Sequence, residues 1–119
     1  MVGGPRPMRR LTNLTDDVFQ QHVVLFEESE IAINLRYHPT AQFWTIDVSY
    51  GSTRILGHKL SVNVLHMRSR NLPFDFVVRD TTGYGLDPYR RDDWVSGRCE
   101  LYLLDPNNME EIRGAPVPL

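Results

Sequence analysis

An all-β fold, a small antiparallel β-barrel or compact sandwich of about six to seven strands with extended N- and C-terminal arms, is what the sequence predicts. Three observations point there. From Trp44 to Tyr50, apolar Trp44, Ile46, Val48 and Tyr50 alternate with Thr45, Asp47 and Ser49, the period of a half-buried strand. Gly51-Ser52 follows at once as a two-residue loop, with Gly placed where a type II′ turn requires positive φ. No stretch carries a convincing helical period; Tyr89 to Val95 holds one helical turn at most.

In chain order, residues 1–18 read as an N-terminal arm. Gly3, Gly4, Pro5 and Pro7 oppose regular structure, and Arg6, Arg9 and Arg10 form a basic cluster ahead of Asp16 and Asp17. The β domain spans 19–105. Gln21 to Phe26 is its first strand, with Glu27 to Glu30 as the turn, and Ile31, Ile33, Leu35 and Tyr37 alternate with polar residues in the second. Pro39 ends that strand, since proline has no N–H for a ladder. After the Gly51 turn the return strand runs Thr53 to Leu56 and meets a bulge at Gly57. Leu60 to Leu65 continues the extended pattern, and His66 to Asn71 reads as a polar, basic loop. Phe74, Phe76 and Val78 mark another strand, Asp80 to Pro88 an irregular stretch dense in turn formers, and Arg98 to Leu104 the last strand. Residues 106–119 form a tail whose Pro116 and Pro118 bar it from a sheet interior.

Composition narrows the function. A chain of 119 residues suits one domain, and its net charge of −2 lacks the basic excess of a protein that grips a nucleic-acid backbone. With a single cysteine, Cys99, there is no disulfide framework and no cysteine-rich zinc site. No apolar run approaches the about 20 residues that cross a bilayer, so a soluble protein without a membrane partner is expected.

Asp80-Thr81-Thr82-Gly83 resembles the Asp-Thr-Gly of retroviral-type aspartic proteases, small all-β chains that pair to share a proton between two carboxylates. An extra Thr interrupts the triplet, and turn chemistry accounts for Asp and Gly here. His22, His38, His58 and His66 show no metal-ligand spacing, and no nucleophile elbow or phosphate loop is present, so no catalytic residue, metal or cofactor is expected. Tyr37, Phe43, Trp44 and Tyr50 beside Arg36 and Arg54 suggest an OB-type single-strand nucleic-acid platform. The shared face of Trp44, Ile46 and Val48 instead suits a core. A dimeric aspartic-protease-like enzyme and an OB-type binder are therefore the alternatives to a structural protein.

The order of residues also resembles a family. The strands Ile31 to Tyr37 and Trp44 to Val48, then Gly51, Ile55-Leu56-Gly57 with Lys59-Leu60, Leu72-Pro73-Phe74, Asp80, Asp87-Pro88, Ser96-Gly97-Arg98 and Leu101-Tyr102, are similar to the small baseplate plug proteins of contractile-tailed bacteriophages, of the cyanophage type. That resemblance implies a structural virion protein of the tail baseplate, made in the host cytoplasm and placed at the hub near the tail axis. Its partners would be hub, tube-initiator and spike proteins. Ring symmetry of such assemblies favours several copies, a trimer first. Arg6, Arg9 and Arg10 of the arm and Pro116 and Pro118 of the tail are the residues expected to contact those partners.

Overall fold

The computed structural model describes residues 8–67 and 71–104, and Arg6, Pro116 and Pro118 lie outside them. Its strands are β1 (Arg9–Arg10), β2 (Phe19–Phe26), β3 (Ser29–His38), β4 (Phe43–Tyr50), β5 (Thr53–Lys59), β6 (Asp75–Asp80) and β7 (Cys99–Leu104). They form two antiparallel sheets, one ordered β2-β3-β4-β5 and the other β1-β7-β6. The all-β prediction holds as a sandwich; the sheets do not close into a barrel.

The four-stranded sheet is a meander made by local turns. β2 and β3 join through Glu27 and Glu28, both at positive φ (50° and 68°), the type I′ geometry of a two-residue hairpin. The turn is thus shorter than the four residues expected. Gly51 has φ 59° while Ser52 is not in the left-handed region, as a type II′ turn requires. Between β4 and β5 the register shifts after Val48↔Ile55, so that Leu56 and Gly57 stand opposite Asp47 alone. Gly57 adopts φ 66° in this bulge, and its N–H donates to Asp47 Oδ1 at 2.7 Å.

The core lies between the sheets. Ile31, Ile33, Leu35, Trp44, Ile46, Val48 and Ile55 pack against Phe74, Phe76, Val78, Leu101 and Leu103. Phe26, Tyr50, Phe74 and Phe76 meet edge to face with centroids 5.0–6.4 Å apart, the arrangement ring quadrupoles favour. Leu11 and Leu14 also lie against this core, and Leu11 N–H bonds to the Leu101 carbonyl.

Two stretches depart from the expected pattern. Leu60 to Leu65 is not a strand: Val62 makes one parallel bridge to Val78, and Asn63 and His66 donate to the Val78 and Phe76 carbonyls. This segment crosses from one sheet to the other and covers the outer edge of β6. His66 and Met67, expected in a polar loop, are buried, and Met67 N–H donates to the buried Asp75 carboxylate at 2.7 Å. The physical reason is that both faces of β6 are covered, so its neighbours are drawn inward. Strand ends differ slightly, β2 starting at Phe19 and β7 at Cys99.

Candidate functional site

Asp80, the residue that looked most like chemistry in the sequence, belongs to a structural clamp built on Arg98 and Asp93. Arg98 reaches Asp93 with a two-pronged ion pair, Nε to Oδ1 and Nη2 to Oδ2, both at 2.8 Å. Its Nη1 lies 3.3 Å from Asp80 Oδ2, and it also donates to the Leu86 and Asp87 carbonyls while stacking over Tyr89. Asp93 accepts the Tyr89 and Arg90 N–H groups at 2.7 Å each. Asp80 accepts the Thr82 hydroxyl and N–H through Oδ1 and the Leu86 N–H through Oδ2. Burial opposes charge on both carboxylates, but these hydrogen bonds, with Arg98, hold both pKa values below the ordinary range. Asp80 therefore ties down the irregular stretch that follows it. A protease aspartate must keep its oxygens for a water and a partner carboxylate; here they are engaged with their own loop.

The same stretch is fastened to the four-stranded sheet. Trp44 Nε1 donates to the Arg90 carbonyl at 3.0 Å, and the Tyr37 hydroxyl to that of Tyr89 at 2.9 Å. Trp94 packs on Trp44 with centroids 5.8 Å apart. Trp44 is fully buried, so its ring offers no face for a nucleic-acid base. Between Tyr89 and Val95 the chain makes turns, with no helix.

A second cluster pairs two histidines. His58 Nε2 lies 2.9 Å from His66 Nδ1, and His66 Nε2 lies 2.8 Å from the Ser61 carbonyl. A neutral His66 that donates to Ser61 and accepts from His58 satisfies this arrangement. Burial pushes its pKa from 6.5 down to about 4; the Ser61 carbonyl opposes the drop, His58 adds to it and Asp87 opposes it. Between those values the unfolded chain is protonated at this position and the folded chain is not. Stability is therefore full above pH 6.5 and falls as pH drops toward 4, by about 3 kcal/mol for this group. Asp80 and Asp93, held below the usual carboxylate range, add their losses at lower pH. Urea unfolding at about pH 7 and about pH 4.5 checks this, with His66→Gln losing about 2 kcal/mol less than the parent across that interval. Equal losses would remove His66 as the cause. Among the described residues no group of three or more His, Cys, Asp or Glu is arranged to hold a metal ion. Burial pushes the Cys99 thiol up to about 12, which leaves it protonated and inert at neutral pH.

The arginines of the expected contact set lie elsewhere. β1 places Arg9 and Arg10 against β7, opposite Leu103 and Tyr102. Arg10 pairs with Glu100 at 3.3 Å, while Arg9 reaches the other sheet and donates to the Leu25 carbonyl of β2. Between them opens a groove of about 460 Å³, walled by Arg9 to Leu14 on one side and Gln21 to Leu25 on the other. The two sheets stay apart here, whereas the Leu60 to His66 crossing joins them on the opposite flank. Sequence reasoning missed the groove. Its trace is the apolar content of β2 on both faces: Phe26 is buried, yet Val23 and Leu25 are 62% and 61% exposed.

A family model described as cyanophage baseplate Pam3 plug gp18 matches residues 8–106, which takes in both sheets, the clamp and the groove. No curated protein matches the chain.

Proposed function

Because this chain belongs to the cyanophage baseplate plug family, we propose that it is a non-enzymatic structural protein of a phage tail baseplate. It packs in the hub of a contractile tail near the axis, between the hub and tube-initiator proteins and the spike. Several symmetry-related copies, a trimer first, fit closed ring symmetry. The observation that carries this reading is the family match across almost all of the described body. The engagement of Asp80, Asp93 and Arg98 with one another and with their own loop supports a scaffold role over catalysis. A net charge of −2 fits protein partners better than nucleic acid. Arg6, Arg9 and Arg10 and the tail prolines Pro116 and Pro118 are the contact residues in this proposal, with no cofactor required.

Deleting residues 1–7 tests the arm. The cut stops at Pro7 because Leu11 and Leu14 pack on the core. The shortened protein is expected to keep the parent's unfolding midpoint while its share of purified baseplates falls about tenfold, a loss of about 1.4 kcal/mol in assembly. Full incorporation of the shortened chain would take the arm out of the interface. Absence of the intact chain from purified tails would overturn the baseplate role itself.

A further inference from the structure

The strand β2 carries within its own sequence none of the devices that protect an exposed edge; among the described residues only Arg9, from β1, reaches it. β5, at the other side of the same sheet, carries the Gly57 bulge and Lys59. β2 is eight residues long, Phe-Gln-Gln-His-Val-Val-Leu-Phe, without an acidic, lysine, arginine, proline or glycine residue and without a register shift. The Tyr37 N–H to Val18 carbonyl bond at 2.7 Å sets the phase of its pairing with β3. Gln20, His22, Val24 and Phe26 therefore bond to β3, and Phe19, Gln21, Val23 and Leu25 turn their N–H and C=O groups to the open side. The Leu25 carbonyl confirms that direction, since Arg9 takes it from across the groove. The guanidinium thus occupies an acceptor that a continued sheet would give to a strand amide.

The charge of the groove selects what fits. Among the described residues its ionisable lining residues are Arg9, Arg10 and His22, with no carboxylate; Arg10 is paired with Glu100 and burial favours neutral His22, so Arg9 is the cation the groove offers. We infer that an extended, carboxylate-bearing segment of another baseplate protein docks in this groove as a strand paired with β2. This rests on the baseplate reading above. Gln21 to Leu25 spans about 13 Å, room for about five residues of such a strand. Its amides take the Val23 and Leu25 carbonyls, Arg9 is released to meet a carboxylate, and alternate apolar side chains lie beside Val23 and Leu25.

The probe is the acidic peptide acetyl-Glu-Val-Glu-Val-Glu-Val-amide, with the Lys-Val repeat as control, titrated into the full chain and followed by amide NMR shifts. The acidic peptide is expected to shift Gln21, Val23 and Leu25, to bind at least about tenfold tighter than the lysine peptide, and to weaken with salt. Val23→Pro removes a donor that β3 does not use, so the fold survives while binding falls at least about tenfold. Equal binding of the two peptides, no binding, shifts away from β2, or undiminished binding to the proline variant overturns the inference. So does slow hydrogen exchange at Gln21 and Val23 in the isolated protein, because the edge is then already taken. Protection independent of concentration assigns it to the chain's own C-terminal segment, and protection that rises with concentration to a second copy. These readings use isolated protein, so their failure leaves the baseplate role standing, and absence from tails leaves the peptide result standing.

Discussion

Arg98→Met is expected to destabilise the protein by about 3–5 kcal/mol, because it removes the shared cation from two buried carboxylates. The Asp80 and Asp93 side chains are 1% and 2% exposed, so water does not replace the guanidinium. Methionine fills a similar volume, which makes charge and hydrogen bonding the main loss. The Leu86 and Asp87 carbonyls lose donors as well, and the irregular stretch from Asp80 to Arg98 loosens first. Thermal unfolding followed by circular dichroism should show the midpoint falling by about 10–20 °C. Arg98→Lys keeps the charge without the planar fork and should fall between the two. A methionine variant within about 1 kcal/mol of the parent would show that the clamp contributes little beyond packing.

Trp44→Ala should lose about 3–5 kcal/mol, a large part of the stability ordinary for a domain of this size. The indole is fully buried between Tyr37 and Trp94, with centroids 5.3 and 5.8 Å away, and truncation leaves a cavity that both must cross to collapse. It also strips the Arg90 carbonyl of its donor. Urea unfolding measures the loss directly. The same experiment separates a core tryptophan from a stacking platform: a platform residue can be removed with stability intact, and a core residue cannot. A loss below about 1 kcal/mol would place Trp44 outside the packing that holds the sheets together.

β3 and β4 were legible because each carries a period of two with large apolar residues on a single face, whereas β1, two exposed arginines, carries no such period and falls in the expected arm. Ile31, Ile33 and Leu35, and Trp44, Ile46 and Val48, were expected inward and are buried. The Gly51 turn and the Gly57 bulge were legible because both need backbone conformations that favour glycine. His66 was misjudged because its burial comes from a crossing segment, which has no period to read. Turn chemistry accounts for Asp80 as expected, but its burial and its pairing with Arg98, eighteen positions on, could not be read from spacing. The groove depends on two strands meeting from different sheets, Arg9 opposite Leu25, and no local pattern encodes that meeting.

β1 is sewn to β7, with Arg9 facing Leu103 across the ladder. On a ribosome this makes the order of completion unequal. The β2 to β5 meander pairs only through neighbouring hairpins and can begin to pair once Lys59 has emerged, while its inner face waits for β6 and β7 and β1 waits for nearly the whole chain. Until then Arg9 has no fixed position from which to shield Leu25, and a nascent chain shows the bare flank of β2 to its surroundings. Translation pace through the second half of the message therefore sets how long that flank, together with the apolar inner face awaiting β6 and β7, stays uncovered, and slow codons there are expected to raise aggregation without altering a single side chain.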